Sequence, residues 1–259
     1  SDVAKCLQLL SRDEQKNLSK ILSRLCTEGL IEKYGNRNGQ FRFVNREAEE
    51  LDWLHADLKP LDVRWPFGLE HFVSVYPGNI AVVAGSPNAG KTAFMLNFIR
   101  LNQEHHDIHL FSSEGGKEEL HNRISKFDHP LDSWRFHAWE RSRDFADVIK
   151  PNALNIIDYI EIYDKFYEIG SIFRDISDRL GNGFCLVALQ KPSGRDAGLG
   201  GERGLEKPRL YLAMDRGKLK IVKAKSWKNP EVNPNGMTIE FKLAAGCKFI
   251  NTRHWDRPE

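Results

Sequence analysis

The sequence predicts an α/β protein built on a mostly parallel sheet with helices on both faces. Apolar runs that suit single buried strands occur at residues 79–84, 108–113, 154–159 and 184–190. Helical patterns of apolar residues follow the first three of these runs, at residues 93–101, 117–127 and 166–180. Strands that alternate with helices are typical of βαβ units, and these units favour a parallel sheet.

The first of these strands leads into a glycine-containing loop that predicts a phosphate site. The octapeptide GSPNAGKT fits the pattern G-x-x-x-x-G-K-[ST] without a mismatch and lies between a strand and a helix. Backbone N–H groups of such a loop face an anion. A chance glycine turn is the weaker interpretation, because the motif and its flanking strand and helix agree. We expect ATP and Mg²⁺ as ligands, because the lysine would reach the β- and γ-phosphates and the threonine hydroxyl would bind the metal. The predicted nucleotide-binding residues are Gly85, Ser86, Pro87, Asn88, Ala89, Gly90, Lys91 and Thr92.

The composition is that of a globular protein. Of 259 residues, 41% are hydrophobic and 29% are charged, and the net charge is only +2. No apolar run approaches the roughly 18 residues of a membrane span, and no signal peptide opens the sequence, so we expect a cytoplasmic protein that does not contact a membrane. The four cysteines form no C-x-x-C motif and predict neither a zinc site nor a disulfide framework.

The first 46 residues predict a small separate domain. Helical patterns at residues 1–10 and 13–27 precede two short strands at residues 30–34 and 40–44, which a turn-rich segment joins. This order resembles a winged helix that lacks its usual first helix, so we expect a domain truncated at its start. The resemblance implies DNA contact by Lys16, Lys20 and Arg24 on the second helix, with Arg37 and Arg42 on or near the wing. Winged helices also bind proteins, and this alternative stays open.

Residues 47–66 are interpreted as a linker before an ATPase domain at residues 67–259. The stretch 46–58 is acidic and is predicted to be helical until Lys59 and Pro60 interrupt it. Its apolar members are expected to dock on the body of the protein or on a neighbouring subunit. They are Leu51, Trp53, Leu54 and Leu58.

Polar residues close the later strands in an order that resembles a known family. Glu114 follows Phe-Ser-Ser at the end of the second strand, Asp158 ends the third in Ile-Asp-Tyr, and Gln190 ends the fourth. With the phosphate loop, these residues resemble RecA-like P-loop ATPases, closest to the ATPase domain of DnaB-type replicative hexameric helicases. The resemblance implies that Glu114 polarises the attacking water from a strand next to the phosphate-loop strand, that Asp158 holds Mg²⁺, and that Gln190 senses the γ-phosphate. A helix start that favours acids, and an ordinary polar strand end, remain alternatives for Glu114 and Gln190.

A glycine-rich basic segment follows the fourth strand, at residues 191–208. RecA-like proteins carry a mobile DNA-binding loop at this point, and such a segment is not expected to pack in a core. The alternative is a surface loop without a ligand. The predicted DNA-binding residues of this segment are Lys191, Arg195, Arg203 and Lys207.

A late strand predicts a catalytic contribution between subunits. In DnaB-type proteins a Lys-x-Arg pair on this strand reaches a neighbour's γ-phosphate, and Lys225 matches the lysine. Trp227 stands where arginine is expected, so Lys223 or Lys228 would have to substitute. A solvated basic strand edge is the plainer interpretation.

Together these features predict an oligomeric ATPase, a ring or a filament, that couples hydrolysis at subunit interfaces to DNA binding or translocation. A nucleotide-switched assembly or regulatory ATPase, whose winged helix binds a protein partner, is the second hypothesis. A small-molecule kinase is the third, although the sequence offers no recognisable acceptor pocket or lid.

Overall fold

The computed structural model describes residues 7–8, 11–35, 39–46, 48, 50–161 and 166–257. The chain divides into two compact units, Ser1–Asp57 and Leu58–Glu259. This division falls inside the predicted linker, and the domain boundaries drawn at residues 46 and 66 stay predictions. None of the helices in the described part of the chain is long and apolar enough to cross a membrane.

The first unit contains one helix and one hairpin in its described residues. Helix α1 spans Arg12–Thr27 and begins with a capping box, in which the Glu14 N–H donates to Ser11 Oγ and the Ser11 N–H donates to the Glu14 carboxylate. Strands β1, Ile31–Lys33, and β2, Phe41–Phe43, pair antiparallel. Helix and hairpin form where the pattern places them, and the winged-helix assignment stays a prediction. Most of the predicted first helix, and Arg37, lie outside the described residues.

The predicted helix over residues 46–58 is wrong for the residues that the structure describes. Residue 48 and residues 50–58 contain no helix. Leu51, Trp53, Leu54 and Leu58 are each more than 70% exposed. A short acidic segment gains little helical stability unless an apolar face is buried, and these side chains are not buried.

The second unit is organised around a nine-stranded sheet. Its strands are β3 Ile80–Gly85, β4 Ile108–Ser112, β5 His137–Glu140, β6 Leu154–Ile160, β7 Phe184–Gln190, β8 Leu210–Asp215, β9 Lys218–Ala224, β10 Thr238–Ala244 and β11 Lys248–Asn251. Its α-helices are α2 Lys91–Asn102, α3 Lys117–Ile124, α4 Ile169–Ser177 and α5 Arg203–Glu206. The strand order is β11-β10-β9-β8-β3-β7-β6-β4-β5, in which β3 to β8 run parallel and β9 to β11 continue antiparallel.

Helices cover both faces of this sheet, as predicted. Alternate residues of a strand point to opposite faces, and β3 is buried on both. Val83 belongs to the same apolar cluster as Phe94 and Phe98 of α2, whereas Val82 belongs to the cluster that contains Phe173 and Ile176 of α4. The near-continuous apolar run of β3 follows from this double burial.

The parallel strands bring polar residues to one edge of the sheet. Gly85 at the end of β3 pairs with Gln190 of β7, and Ser112 of β4 pairs with Asp158 of β6. The predicted placement of the Glu114 strand next to the phosphate-loop strand is wrong, because β7 and β6 lie between β3 and β4. Sequence order does not reveal this arrangement, since β6 and β7 come later in the chain.

Candidate active site

The loop between β3 and α2 depends on glycine at two positions. Gly90 has φ of 105°, and a Cβ there would lie 3.1 Å from Leu243 Cδ2. A Cβ at Gly85 would lie 2.5 Å from Lys91 Cγ. Glycine therefore leaves room for the Leu243 side chain beside the start of α2 and for the Lys91 side chain beside the end of β3. The unpaired backbone N–H groups at the start of a helix favour an anion.

The Lys91 ammonium is held at this loop. Its Nζ atom donates to the carbonyl oxygens of Gly85, at 3.1 Å, and of Ser86, at 3.4 Å. Burial lowers the pKa of Lys91, while the nearby carboxylates of Asp158 and Glu114 oppose this shift. The Lys91 ammonium thus lies between the loop and the acidic side chains, where it could bind a phosphate oxygen.

Thr92 and Asp158 offer oxygen ligands side by side. Asp158 is only 7% exposed. Burial raises the pKa of its carboxyl group, and the hydrogen bond from the Thr92 side chain and the charge of Lys91 counteract the rise. A hydroxyl and a carboxylate are the hard oxygen donors that Mg²⁺ prefers. A divalent cation would also compensate the buried carboxylate, so these residues fit the metal that the phosphate loop predicts.

A cleft of about 380 Å³ joins these groups. Its walls come from the loop and α2 on one side and from the ends of β4, β6 and β7 on the other. A larger cavity of about 810 Å³ runs along α2 and the β10–β11 hairpin and is not lined by the phosphate loop. We place the site in the smaller cleft because the titratable groups converge there. The polar residues that line it are Asn88, Lys91, Thr92, Glu114, Arg123, Asp158, Tyr159 and Gln190.

A hydrogen-bonded chain connects three of these side chains. Gln190 Nε2 donates to Tyr159 Oη at 2.9 Å, and Tyr159 Oη donates to Glu114 Oε1, also at 2.9 Å. Sequence reasoning named Glu114 and Gln190 but gave Tyr159 no role. No pattern in the sequence separates this tyrosine from an ordinary core aromatic at a strand end.

Arg123 is a second residue that sequence reasoning missed. It lies on α3, lines the cleft and acts on the Asp158 carboxylate through its charge. Its guanidinium also pairs with Glu119, one turn earlier. The only available signal is a basic side chain on the helix that follows Glu114, which by itself is uninformative.

Lys191 is not the exposed loop cation that the sequence predicts. Its side chain is fully buried, and Nζ lies 2.8 Å from Asp215 Oδ1. Burial acts to raise the pKa of Asp215, but the hydrogen bonds from Lys191, Ser86 and the Gly194 N–H, together with the charge of Lys191, outweigh it and lower the pKa below its ordinary value. The ion pair thereby joins the ends of β7 and β8 beside the phosphate loop, and Lys191 is not accessible to a DNA phosphate.

Part of the glycine-rich segment contacts the sheet, whereas residues 192–196 and 201–203 are exposed and do not pack in the core. Gly198 is buried, and its N–H donates to Tyr211 Oη at 2.8 Å. A Cβ at Gly198 would lie 2.9 Å from that oxygen and 3.1 Å from the Gln190 carbonyl oxygen. Glycine at this position therefore serves close packing.

The remaining predicted DNA-binding side chains are exposed but do not form one patch. Arg195 is one residue from Gly194, whose N–H bonds to Asp215 at the cleft edge of the sheet. Lys207 lies beside Asn79 and Ile80, at the opposite end of β3, and Arg203 lies on α5 between them in sequence. In the first unit, the predicted groups Lys16, Lys20 and Arg24 are exposed on α1.

Lys225 lies at the edge of the sheet away from the phosphate loop. It follows β9, and its N–H donates to the Arg209 carbonyl. Leu210 pairs with both Ala81 and Ala224, whereas Gly85 is at the other end of β3, about 13 Å from Ala81 along the strand at about 3.3 Å per residue. Lys225 therefore does not act on the phosphate loop of its own chain. The alternative Lys223 is occupied, because its ammonium donates to the carbonyls of Leu205 and Glu206.

Comparisons with known proteins identify the fold. No protein-family profile matches the sequence, and no curated protein is significantly similar to it in sequence. Among solved structures, the KaiC-like protein PH0186 from the hyperthermophilic archaeon Pyrococcus horikoshii OT3 superimposes with a TM-score of 0.57. That match covers 76% of this chain and 100% of the other, with 14% sequence identity. Together with the mostly parallel sheet and its helices, it confirms the predicted RecA-like fold class, whereas the closer DnaB-type relationship stays a prediction.

Proposed function

We propose that this chain binds and hydrolyses ATP with Mg²⁺. The observation that carries the proposal is the convergence of Lys91, the Thr92–Asp158 pair and Glu114 on one cleft beside the phosphate loop. A cation, two metal-binding oxygens and a carboxylate are the groups that phosphoryl transfer to water requires. The RecA-like fold supports the same reaction by analogy.

Each side chain has a distinct part in this reaction. Lys91 binds the β- and γ-phosphates and offsets their charge. Thr92 and Asp158 hold Mg²⁺, which would neutralise charge that develops on the phosphate oxygens. Glu114 orients the attacking water and accepts its proton, and Gln190 contacts the γ-phosphate.

The substitution Glu114→Gln tests the central assignment. An amide cannot accept the proton, so kcat should fall by about 10²- to 10⁴-fold, the usual contribution of a general base, while the affinity for ATP stays close to that of the native protein. Lys91→Ala should instead weaken nucleotide binding itself. Phosphate release and binding of a fluorescent ATP analogue separate the two effects, with Glu118→Gln on the exposed side of α3 as a matched control. Normal turnover by Glu114→Gln would remove Glu114 from the mechanism.

We also propose that active sites are completed between copies of this chain. Lys225 is exposed at the end of the sheet that is remote from its own cleft. It is therefore suited to contact the cleft of a neighbouring copy. Arg209 is exposed beside it and carries the guanidinium that Trp227 does not. The planar fork of arginine binds phosphate oxygens in pairs, and Arg209 is thus a better candidate than Lys223 for the missing arginine.

We propose further that ATP hydrolysis by this chain is coupled to DNA binding. Arg195, Arg203 and Lys207 do not form one patch, but their side chains are exposed and can reach a DNA phosphate, whereas Lys191 is buried. Replacing these three with alanine should weaken DNA binding. It should also reduce the magnitude of the slope of log affinity against log salt by roughly 0.9 for each of the three lost phosphate contacts. The ATPase rate without DNA should not fall. An unchanged affinity for DNA at several salt concentrations would exclude these three side chains as DNA contacts and point to α1 instead. A protein that binds no DNA would favour the alternative of a nucleotide-switched regulatory ATPase.

A further inference from the structure

Tyr159 occupies a position between two groups that the proposed ATPase reaction uses. Glu114 follows β4 and Gln190 ends β7, and β6, which carries Tyr159, lies between those two strands. The chain Gln190 Nε2 to Tyr159 Oη to Glu114 Oε1 contains two hydrogen bonds of 2.9 Å each. The tyrosine hydroxyl, which lies on the intervening strand, therefore links the Glu114 and Gln190 side chains.

The chemistry of the three groups suits a bridge of this kind. An ionised carboxylate only accepts hydrogen bonds, while a phenolic hydroxyl donates one and also accepts. Tyr159 can thus accept from the Gln190 amide and donate to Glu114 at the same time. Phenylalanine would fill the same space but would break both bonds, so the hydroxyl and the ring can be separated by experiment.

The surroundings hold the tyrosine in place. Its backbone N–H donates to Ser113 Oγ at 3.2 Å, immediately before Glu114 in the chain. Lys91 Nζ lies 5.9 Å from the centre of its ring, within the range of a cation–π contact. The hydroxyl is therefore positioned by the strand that leads to Glu114 and by the lysine that would bind the phosphates.

We propose that Tyr159 is a positioning residue that sets the Glu114 carboxylate and the Gln190 amide in one mutual arrangement. A displacement of Gln190 toward a γ-phosphate is then transmitted to Glu114 through the hydroxyl. Successive hydrogen bonds polarise and strengthen one another, which favours a coupled response over two separate ones. This inference rests on the proposed ATPase function and adds a residue to it.

The test compares Tyr159→Phe with the matched control Tyr167→Phe, whose ring is exposed. Loss of a positioning hydrogen bond should lower kcat by about tenfold to a hundredfold, with the dissociation constant for ATP within about twofold of the native value. The control should turn over normally. A thermal unfolding midpoint measured alongside separates this effect from misfolding.

A double-mutant cycle with Gln190→Ala provides the decisive readout. If the hydroxyl links the two groups, the combined loss in kcat should be smaller than the product of the single losses. A purely structural role predicts independent, multiplicative losses, and that result would overturn the proposal. Binding supplies a second readout, since Tyr159→Phe should reduce the preference for ADP with aluminium fluoride over ADP alone, and an unchanged preference would argue against it.

The two proposals fail differently. If Glu114→Gln hydrolyses ATP normally, the proposed mechanism itself is wrong. If Glu114→Gln is inactive while Tyr159→Phe has native kcat, the ATPase assignment stands and the role of Tyr159 is excluded.

Discussion

The substitution Lys191→Met tests whether this lysine is a structural ion-pair partner or a DNA contact. Methionine keeps most of the apolar stem and removes the charge. Breaking a fully buried pair by removing one partner costs about 3–5 kcal/mol. Asp215 is 35% exposed, and water can replace part of the lost contact; it also keeps its hydrogen bond from Ser86. We therefore expect the free energy of unfolding to fall by about 2 kcal/mol, and the unfolding midpoint to fall by about 4–8 °C for a domain of about 200 residues.

Urea unfolding followed by circular dichroism measures this loss. Arg195→Ala is the matched control, because its exposed side chain belongs to the same segment and should change stability by no more than about 0.5 kcal/mol. DNA binding by folded Lys191→Met should keep the native salt dependence. A stability equal to that of the native protein, or a weaker salt dependence of DNA binding, would refute the structural assignment.

The pH dependence of the same comparison checks the sign of the interaction. The pKa of Asp215 in the folded protein lies below its ordinary value of 3.8, because its hydrogen bonds and the charge of Lys191 together outweigh burial. A carboxyl group whose pKa is lower in the folded than in the unfolded protein stabilises the fold at pH values above the unfolded-state pKa. This contribution is lost as the pH falls through the folded-state pKa. The stability difference between the native protein and Lys191→Met should therefore be greatest near neutral pH and shrink below about pH 4. A difference that grows on acidification would contradict this account.

Two further predictions concern packing and assembly. Gly198→Ala should destabilise the fold by about 1–3 kcal/mol, because the added methyl group would lie against the Tyr211 hydroxyl; Gly204→Ala, which meets no atom closer than 4.0 Å, should be nearly neutral in the same urea titration. Lys225→Ala should bind ATP normally yet hydrolyse it slowly, and mixing it with Lys91→Ala should restore part of the activity, since an intact cleft then meets an intact neighbour. Full activity of Lys225→Ala at dilutions that give a monomer by light scattering would exclude the shared site.

Local features of this protein were predictable from the sequence. The phosphate loop follows from a strand, a glycine pattern and a helix that are adjacent in the chain, and the structure places them between Ile80 and Asn102. The bounds of the predicted strands came within one or two residues, since apolar runs reflect the burial of both sheet faces. Strand β5 was not predicted, because its four residues are exposed and form no apolar run. The helix predicted for the acidic stretch at 46–58 was wrong, because charge and composition do not supply the packing that a short helix needs.

Contacts between distant residues were not predictable in this way. The sequence by itself determined the phosphate loop, the alternation of strands and helices, and the acidic and amide side chains at the strand ends. Only the tertiary structure decided that β6 and β7 separate β3 from β4, that Lys191 is buried against Asp215, and that Tyr159 joins Glu114 to Gln190. The partners of these pairs lie 24, 45 and 31 positions apart in the chain. Short-range patterns carry no information about such pairs, because strand order and the meeting of strand ends arise only when the whole sheet assembles.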